Sequence, residues 1–191
     1  LHVQRSAFTT FDVAIIDGST SSRFEQVAID NFRSVGLWAS QPLSNLTADA
    51  VPDSMSGLVV RGAHIDNSDQ TEPVNSTGIS LAGVAAVVEN VRVVNIPRSN
   101  DRKGGHGIRS FAGALRVHDS EITAAAGAGL KLTNTLAWVT NSSIANSRPG
   151  IYTVLATTEN TMIPGDMYIP GDMYIPGDMY IPGDMYIPVS Y

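Results

Sequence analysis

The stretch "GISLAGVAAVVENVRVVNI" (Gly78–Ile96) is followed by "GIRSFAGALRVHDSEIT" (Gly107–Thr123), "GLKLTNTLAWVTNSSIANS" (Gly129–Ser147) and "GIYTVLATTEN" (Gly150–Asn160). These stretches share one register without gaps. One place after each Gly stand Ile79, Ile108, Leu130 and Ile151; ten places after stand Val88, Val117 and Val139. Twelve places after come Asn90, Asp119 and Asn141, and fifteen places after come Val93, Ile122 and Ile144. The unit that starts at Gly78 is the longest, and those that start at Gly107 and Gly129 are nearly equal in length. Within each unit apolar residues alternate, as in Leu115 and Val117 or Ala137 and Val139, which is the period of a strand with one face buried. Helical spacing is absent.

A unit of about 21 residues, with three short strands and an Asn or Asp corner between the second and third, has the arithmetic of one coil of a right-handed parallel β-solenoid. One such coil cannot bury its apolar face alone, so coils must stack. Shorter copies in "LVVRGAHIDN" (Leu58, Val60, Ile65) and "VAIDNF" (Val27, Ile29) bring the count to about five or six. An antiparallel sandwich would also show alternation, but nothing in that fold calls for a shared register in successive units.

Composition agrees with a folded chain: 43% hydrophobic and 16% charged residues over 191 positions suit one domain with a sizeable core. The net charge of −6 divides unevenly, because the tail from Ile163 holds four Asp and no Lys or Arg, leaving −6 − (−4) = −2 for the rest. That balance gives no footprint for nucleic acid. No run approaches the ~18 apolar residues of a membrane span. No cysteine is present, which excludes disulfides and thiolate metal sites, and no cofactor or metal ligand set is expected. Without a signal-peptide pattern or an initiating Met, the chain is expected to be a processed product or a piece of something longer.

The Gly-Ile starts, the apolar columns and the corner at Asn90, Asp119 and Asn141 resemble the pectate-lyase-like β-helices, over roughly residues 24–160. That family includes polysaccharide lyases, glycosidases and the trimeric tailspikes of bacteriophages. The resemblance implies that the strand after each Gly floors a substrate groove, with Ser80, Arg109, Lys131 and Tyr152 outward and stacked about 4.8 Å apart. Length variation is expected at one corner only, where 66–77 and 97–106 are long insertions that wall this floor. The second insertion, "PRSNDRKGGH", concentrates Arg98, Arg102, Lys103 and His106, and the first offers Asp66, Asp69 and Glu72.

Arg holds a carboxylate through paired hydrogen bonds and Lys acts as a point charge, so Arg109, Lys131, Arg102, Lys103 and Tyr152 are candidates for binding an acidic polysaccharide. A lyase would add a base, His106 or Lys131. A glycosidase would need paired carboxylates, for which Asp101 with Glu72 or Asp69 are the candidates. Solvated loop charges are the alternative for all of these. His118 and Trp138 fall outward by register; an outward indole suits either stacking on sugar or burial against another subunit, and the subunit is favoured. The sequons at Asn45, Asn75 and Asn141 bear only on a eukaryotic secreted protein, and "GGHG" (Gly104–Gly107) reads as a flexible loop end rather than a phosphate loop.

The chain closes with four copies of Ile-Pro-Gly-Asp-Met-Tyr from Ile163 to Tyr186 and the start of a fifth. Because six is even, an extended tail keeps Ile, Gly and Met on one face and Pro, Asp and Tyr on the other. Pro-Gly also suits the centre of a type II turn. One chain of this kind cannot make a core, whereas three wound together bury Ile169, Met173 and their equivalents; a solvated Pro-Gly linker is the alternative. The expected organisation is a lead-in over 1–23, a parallel β-helix over 24–162 and a trimerising rod over 163–191. The functional expectation is a homotrimeric tailspike or tail-fibre fragment of the virion tail, attached to other tail proteins and recognising a bacterial surface polysaccharide. A secreted lyase or glycosidase, and a structural adhesin or sheath component, remain alternatives.

Overall fold

The computed structural model describes residues 1–18, 21–40, 57–70, 75–98, 104–154 and 157–159. The expected rod over 163–191 lies outside them. Among the described residues the chain is all-β, with seventeen strands, β1 to β17 in chain order, and no helix. They fall into three columns. The first is a seven-stranded parallel sheet of β1 (His2–Gln4), β3 (Ser22–Glu25), β5 (Leu58–Arg61), β8 (Ala85–Glu89), β11 (Ala114–His118), β14 (Leu136–Thr140) and β17 (Thr157–Glu159). The second holds β6 (His64–Asp66), β9 (Arg92–Val94), β12 (Glu121–Thr123) and β15 (Ser143–Ala145). The third holds β7 (Thr77–Ala82), β10 (His106–Phe111), β13 (Leu130–Thr133) and β16 (Ile151–Val154).

Two long strands, β2 (Ala7–Asp17) and β4 (Ala28–Ser40), belong to both of the last two columns and join them into one ten-stranded sheet. Ala28, Ile29 and Asp30 of β4 pair with β6, and its stretch from Val35 onward pairs with β7. Between those two pairings the buried Asn67 closes the gap, accepting from Phe32 N–H at 3.0 Å and donating to the Phe32 carbonyl at 2.9 Å. Without that side chain two backbone groups would lie buried and unsatisfied.

The register expected from the sequence is the pairing register. Ile79, Ile108, Leu130 and Ile151 are successive partners, as are Val88, Val117 and Val139, and Val93, Ile122 and Ile144. The shorter copies join the same columns, Val60 opposite Val88 and Ile29 opposite Ile65 opposite Val93. All of these side chains are fully buried in one continuous core, each worth about 1.5–3 kcal/mol removed from water. The pairing also reaches β1 and β2, which lie against β3 and β4.

Left-handed backbone turns the chain at the columns' edges. Between the first and second columns it falls at Gly62, Asn90, Asp119 and Asn141, with φ of 62°, 52°, 49° and 49°. At Gly62, Asn90 and Asp119 the N–H still donates to the next unit, to Glu89, His118 and Thr140, so the ladder crosses these corners unbroken. Asn and Asp tolerate this conformation because a short polar side chain can bond locally. Two more such rows run through Gly83, Ala112 and Asn134 and through Asn95, Ala124 and Asn146, where only the two alanines lack a residue type that favours this backbone. The Gly starts have a steric cause: at Gly78 a Cβ would stand 2.6 Å from both the Gly107 carbonyl oxygen and Val93 Cγ1. One expectation is corrected, since length varies at a second place as well: residues 41–57 separate β4 from β5.

Candidate functional site

The outward row of the third column runs Ile16, Trp38, Ser80, Arg109, Lys131, Tyr152, each opposite the next across one strand spacing. Strand spacing alone puts these positions about 4.8 Å apart. Trp38 is 39% exposed, and Phe111, two places beyond Arg109 on the same face, is 45% exposed. Lys131 Nζ lies 5.8 Å from the centre of the Tyr152 ring, within cation–π range.

Beside this row is a groove of about 480 Å³ lined by Ser34, Val35, Asn75, Thr77, Ser80, Gly104, His106, Arg109 and Lys131. It brings together three of the residues singled out in the sequence, with Tyr152 adjoining. "GGHG" is not a loose loop end here. Gly104 and Gly105 both hold left-handed φ, Gly105 N–H donates to Ser76 at 2.7 Å, and its carbonyl accepts from Gly127 N–H at 2.8 Å. That clamp delivers His106 to the wall of the groove.

His106 is held neutral. Burial, and then the facing charges of Lys131 and Arg109, push its pKa down to about 4. Its Nδ1 accepts from Ala128 N–H at 3.2 Å, so the neutral ring carries its proton on Nε2. In that tautomer the remaining nitrogen is a hydrogen-bond donor, and no lone pair of the ring is left for proton abstraction. Lys131 is shifted toward its neutral form by burial and by Arg109. A larger fraction of its amine is therefore unprotonated, and free to take a proton, than in an ordinary surface lysine.

No carboxylate lines this groove among the described residues. Glu72, Asp101, Arg102 and Lys103 lie outside the described residues. Asp69 lies instead in a second groove of about 450 Å³, with Asp12 and Arg33, that has no lining residue in common with the first. Trp138 belongs to the other sheet, in register with Arg116 and Val87, and is half-buried there. On that sheet His118 Nδ1 lies 2.8 Å from Thr140 Oγ1 and its Nε2 lies 2.9 Å from Asp119. No group of three or more His, Asp or Glu able to hold a metal occurs among the described residues, and no helix among them is long and apolar enough to cross a membrane.

Trp38 is the site residue that sequence reasoning missed. Its signal was present, since "GLW" (Gly36–Trp38) repeats the Gly-apolar-outward pattern of "GIS", "GIR" and "GLK". Comparison with family models, with curated proteins and with solved structures finds no match to this chain.

Proposed function

We propose that this chain binds an acidic polysaccharide along the row Trp38–Ser80–Arg109–Lys131–Tyr152, as the receptor-binding part of a bacteriophage tailspike or tail fibre. One observation carries the reading: Arg109 and Lys131 are direct neighbours of like sign in a groove that, among the described residues, supplies neither with a carboxylate. Like charges placed opposite each other destabilise a sheet, so their juxtaposition points to an anionic partner that restores the balance. Aromatic rings at Trp38, Phe111 and Tyr152 offer apolar faces to sugar rings, and Arg supplies the planar fork that fits a carboxylate. In this reading the stack is a right-handed parallel β-helix, and the polysaccharide is a uronate-rich glycan of a bacterial surface.

The same reading makes the chain a homotrimer joined through the hexapeptide rod, carried on the virion tail with other tail proteins. Its support is the even period of Ile-Pro-Gly-Asp-Met-Tyr, which leaves one apolar face unburied in a single chain. Mass in solution tests it. A particle of three times the 20.3 kDa of one chain is expected, and a monodisperse particle of single-chain mass removes the trimer.

Binding is tested by titrating uronate-rich capsular polysaccharides and neutral dextran against the wild type and the Arg109→Ala, Lys131→Ala double variant. The wild type is expected to prefer the uronates, to weaken with salt, and to lose at least about tenfold in the variant, the worth of one charge-assisted hydrogen bond. Equal affinity in the variant removes the site. A second reading, a polysaccharide lyase, is favoured by the depressed Lys131 ammonium. It requires unsaturated uronates to accumulate with the wild type and not with Lys131→Met.

A further inference from the structure

A different part of the surface carries two arginines that have no carboxylate partner among the described residues. At the corner that follows the second column, Asn95, Ala124 and Asn146 are equivalent positions in three successive units, linked by Asn95 N–H to Thr123 and Ala124 N–H to Ala145 at 3.2 and 3.1 Å. The first of these units continues to Arg98 and the third to Arg148, while the middle unit continues through Ala125, Ala126 and Gly127. Ala126 N–H donates to Ile96 at 2.9 Å and Arg148 N–H to Gly127 at 3.2 Å, so the three segments are stacked in that order. Since the middle unit contributes nothing larger than a methyl group, a hollow of about 500 Å³ remains, lined by Arg98, Ala125, Ala126, Asn146, Ser147 and Arg148 among others.

We infer that this hollow is a second anion-binding site, one that takes a terminal sulfate or phosphate group between Arg98 and Arg148. Both side chains are exposed, and neither guanidinium meets a carboxylate among the described residues. Two arginines elsewhere are paired, Arg92 of the second column with Glu121 at 3.1 Å and Arg61 of the first with Glu89 at 2.7 Å. Two units of stacking set the two Arg-bearing segments about 9–10 Å apart. One guanidinium fork already engages both oxygens of a planar carboxylate, whereas a tetrahedral oxyanion has oxygens left for a second fork from the opposite side. The wall is firm: Ser147 Oγ accepts from Ala125 N–H at 3.3 Å and donates to the Ala145 carbonyl at 3.2 Å. The site is separate from the Arg109–Lys131 groove, with no lining residue in common.

The probes are inorganic phosphate and a sulfated oligosaccharide, titrated calorimetrically against the full chain at constant ionic strength. Saturable binding is expected, at least tenfold weaker in Arg98→Ala and in Arg148→Ala, and weakened severalfold in Arg148→Lys, which keeps the charge and loses the fork. The loss caused by Arg98→Ala is expected to be the same in the wild type and in an Arg109→Ala background, so failure here and failure of the groove are told apart. Binding of phosphate assigns a free anion, and binding of the oligosaccharide alone assigns an ester on a glycan. Undiminished binding in the Arg98, Arg148 double variant, or a signal that follows ionic strength alone, overturns the proposal. Melting of each variant checks that the fold is kept.

Discussion

The outer faces of the first and third columns are built on the same strand spacing and treat charge in opposite ways. On the first, Glu25, Arg61 and Glu89 occupy one row, so that carboxylate and cation alternate, and Arg61 meets Glu89 at 2.7 Å. On the third, Arg109 and Lys131 stand side by side in a groove that offers them no counter-charge among the described residues. An in-register parallel stack places side chains of successive units directly opposite each other, so the order of signs along a row is an electrostatic choice made residue by residue. Alternation lowers the energy of the folded chain, and repetition raises it. A face that gives up stability in this way is where a ligand is to be sought, and the paired face is where it is not.

The largest effect tests the core on which both faces rest. Val117 is fully buried between Val88 and Val139, so Val117→Asp places an unpaired carboxylate in an apolar interior and is expected to cost several kcal/mol, enough to abolish cooperative melting. A normal melting curve for this variant would mean that the inward register is wrong. At the corner, Asn90 has φ of 52°, and Asn90→Ala is expected to cost about 1–2 kcal/mol while Asn90→Gly costs less. Equal destabilisation by both would show that the Asn side chain, and not the backbone conformation, is what the corner requires.

Acid sharpens the contrast through His106. Its folded pKa of about 4 lies below the ordinary 6.5, so between these values the unfolded chain binds the extra proton. Stability from this group is complete above pH 6.5 and falls as the pH is lowered toward 4. Melting temperatures measured across that window are expected to fall more steeply in the wild type than in His106→Gln. Arg109→Gln should flatten the slope in part, since burial, the larger cause, remains. The smallest effect compares the faces directly: Arg61→Gln should lower stability and Arg109→Gln raise it, each by under about 1 kcal/mol. The same sign from both substitutions would dissolve the difference between the faces.

Much of the third column could be read without coordinates, because its Gly starts answer a steric demand that only the residue type can meet. At Gly78 and its successors the approach of the next unit leaves no room for a Cβ, and the spacing of those glycines carries the register. The copy at Gly36 escaped the same reading because residues 41–57 intervene and put it 78 − 36 = 42 positions ahead of Gly78. Trp38 was lost from the site with it. The other two rows of left-handed corners carry Gly or Asn at Gly83, Asn134, Asn95 and Asn146, but Ala112 and Ala124 adopt that backbone within the ladder without a side chain that favours it, and this broke the pattern in the sequence.

By itself, then, the sequence determined period, inward and outward sides, and the row that carries Arg109, Lys131 and Tyr152, because strand alternation and in-register stacking are local and repetitive. Tertiary structure decided what surrounds those side chains. The clamp at Gly104 and Gly105 that buries His106, the Ala128 N–H that assigns its tautomer, and the separation of Asp69 and Trp138 from the groove all depend on contacts between segments remote in sequence. Burial and the facing charges set the pKa of a group, and neither is a property of the residue or of its neighbours along the chain.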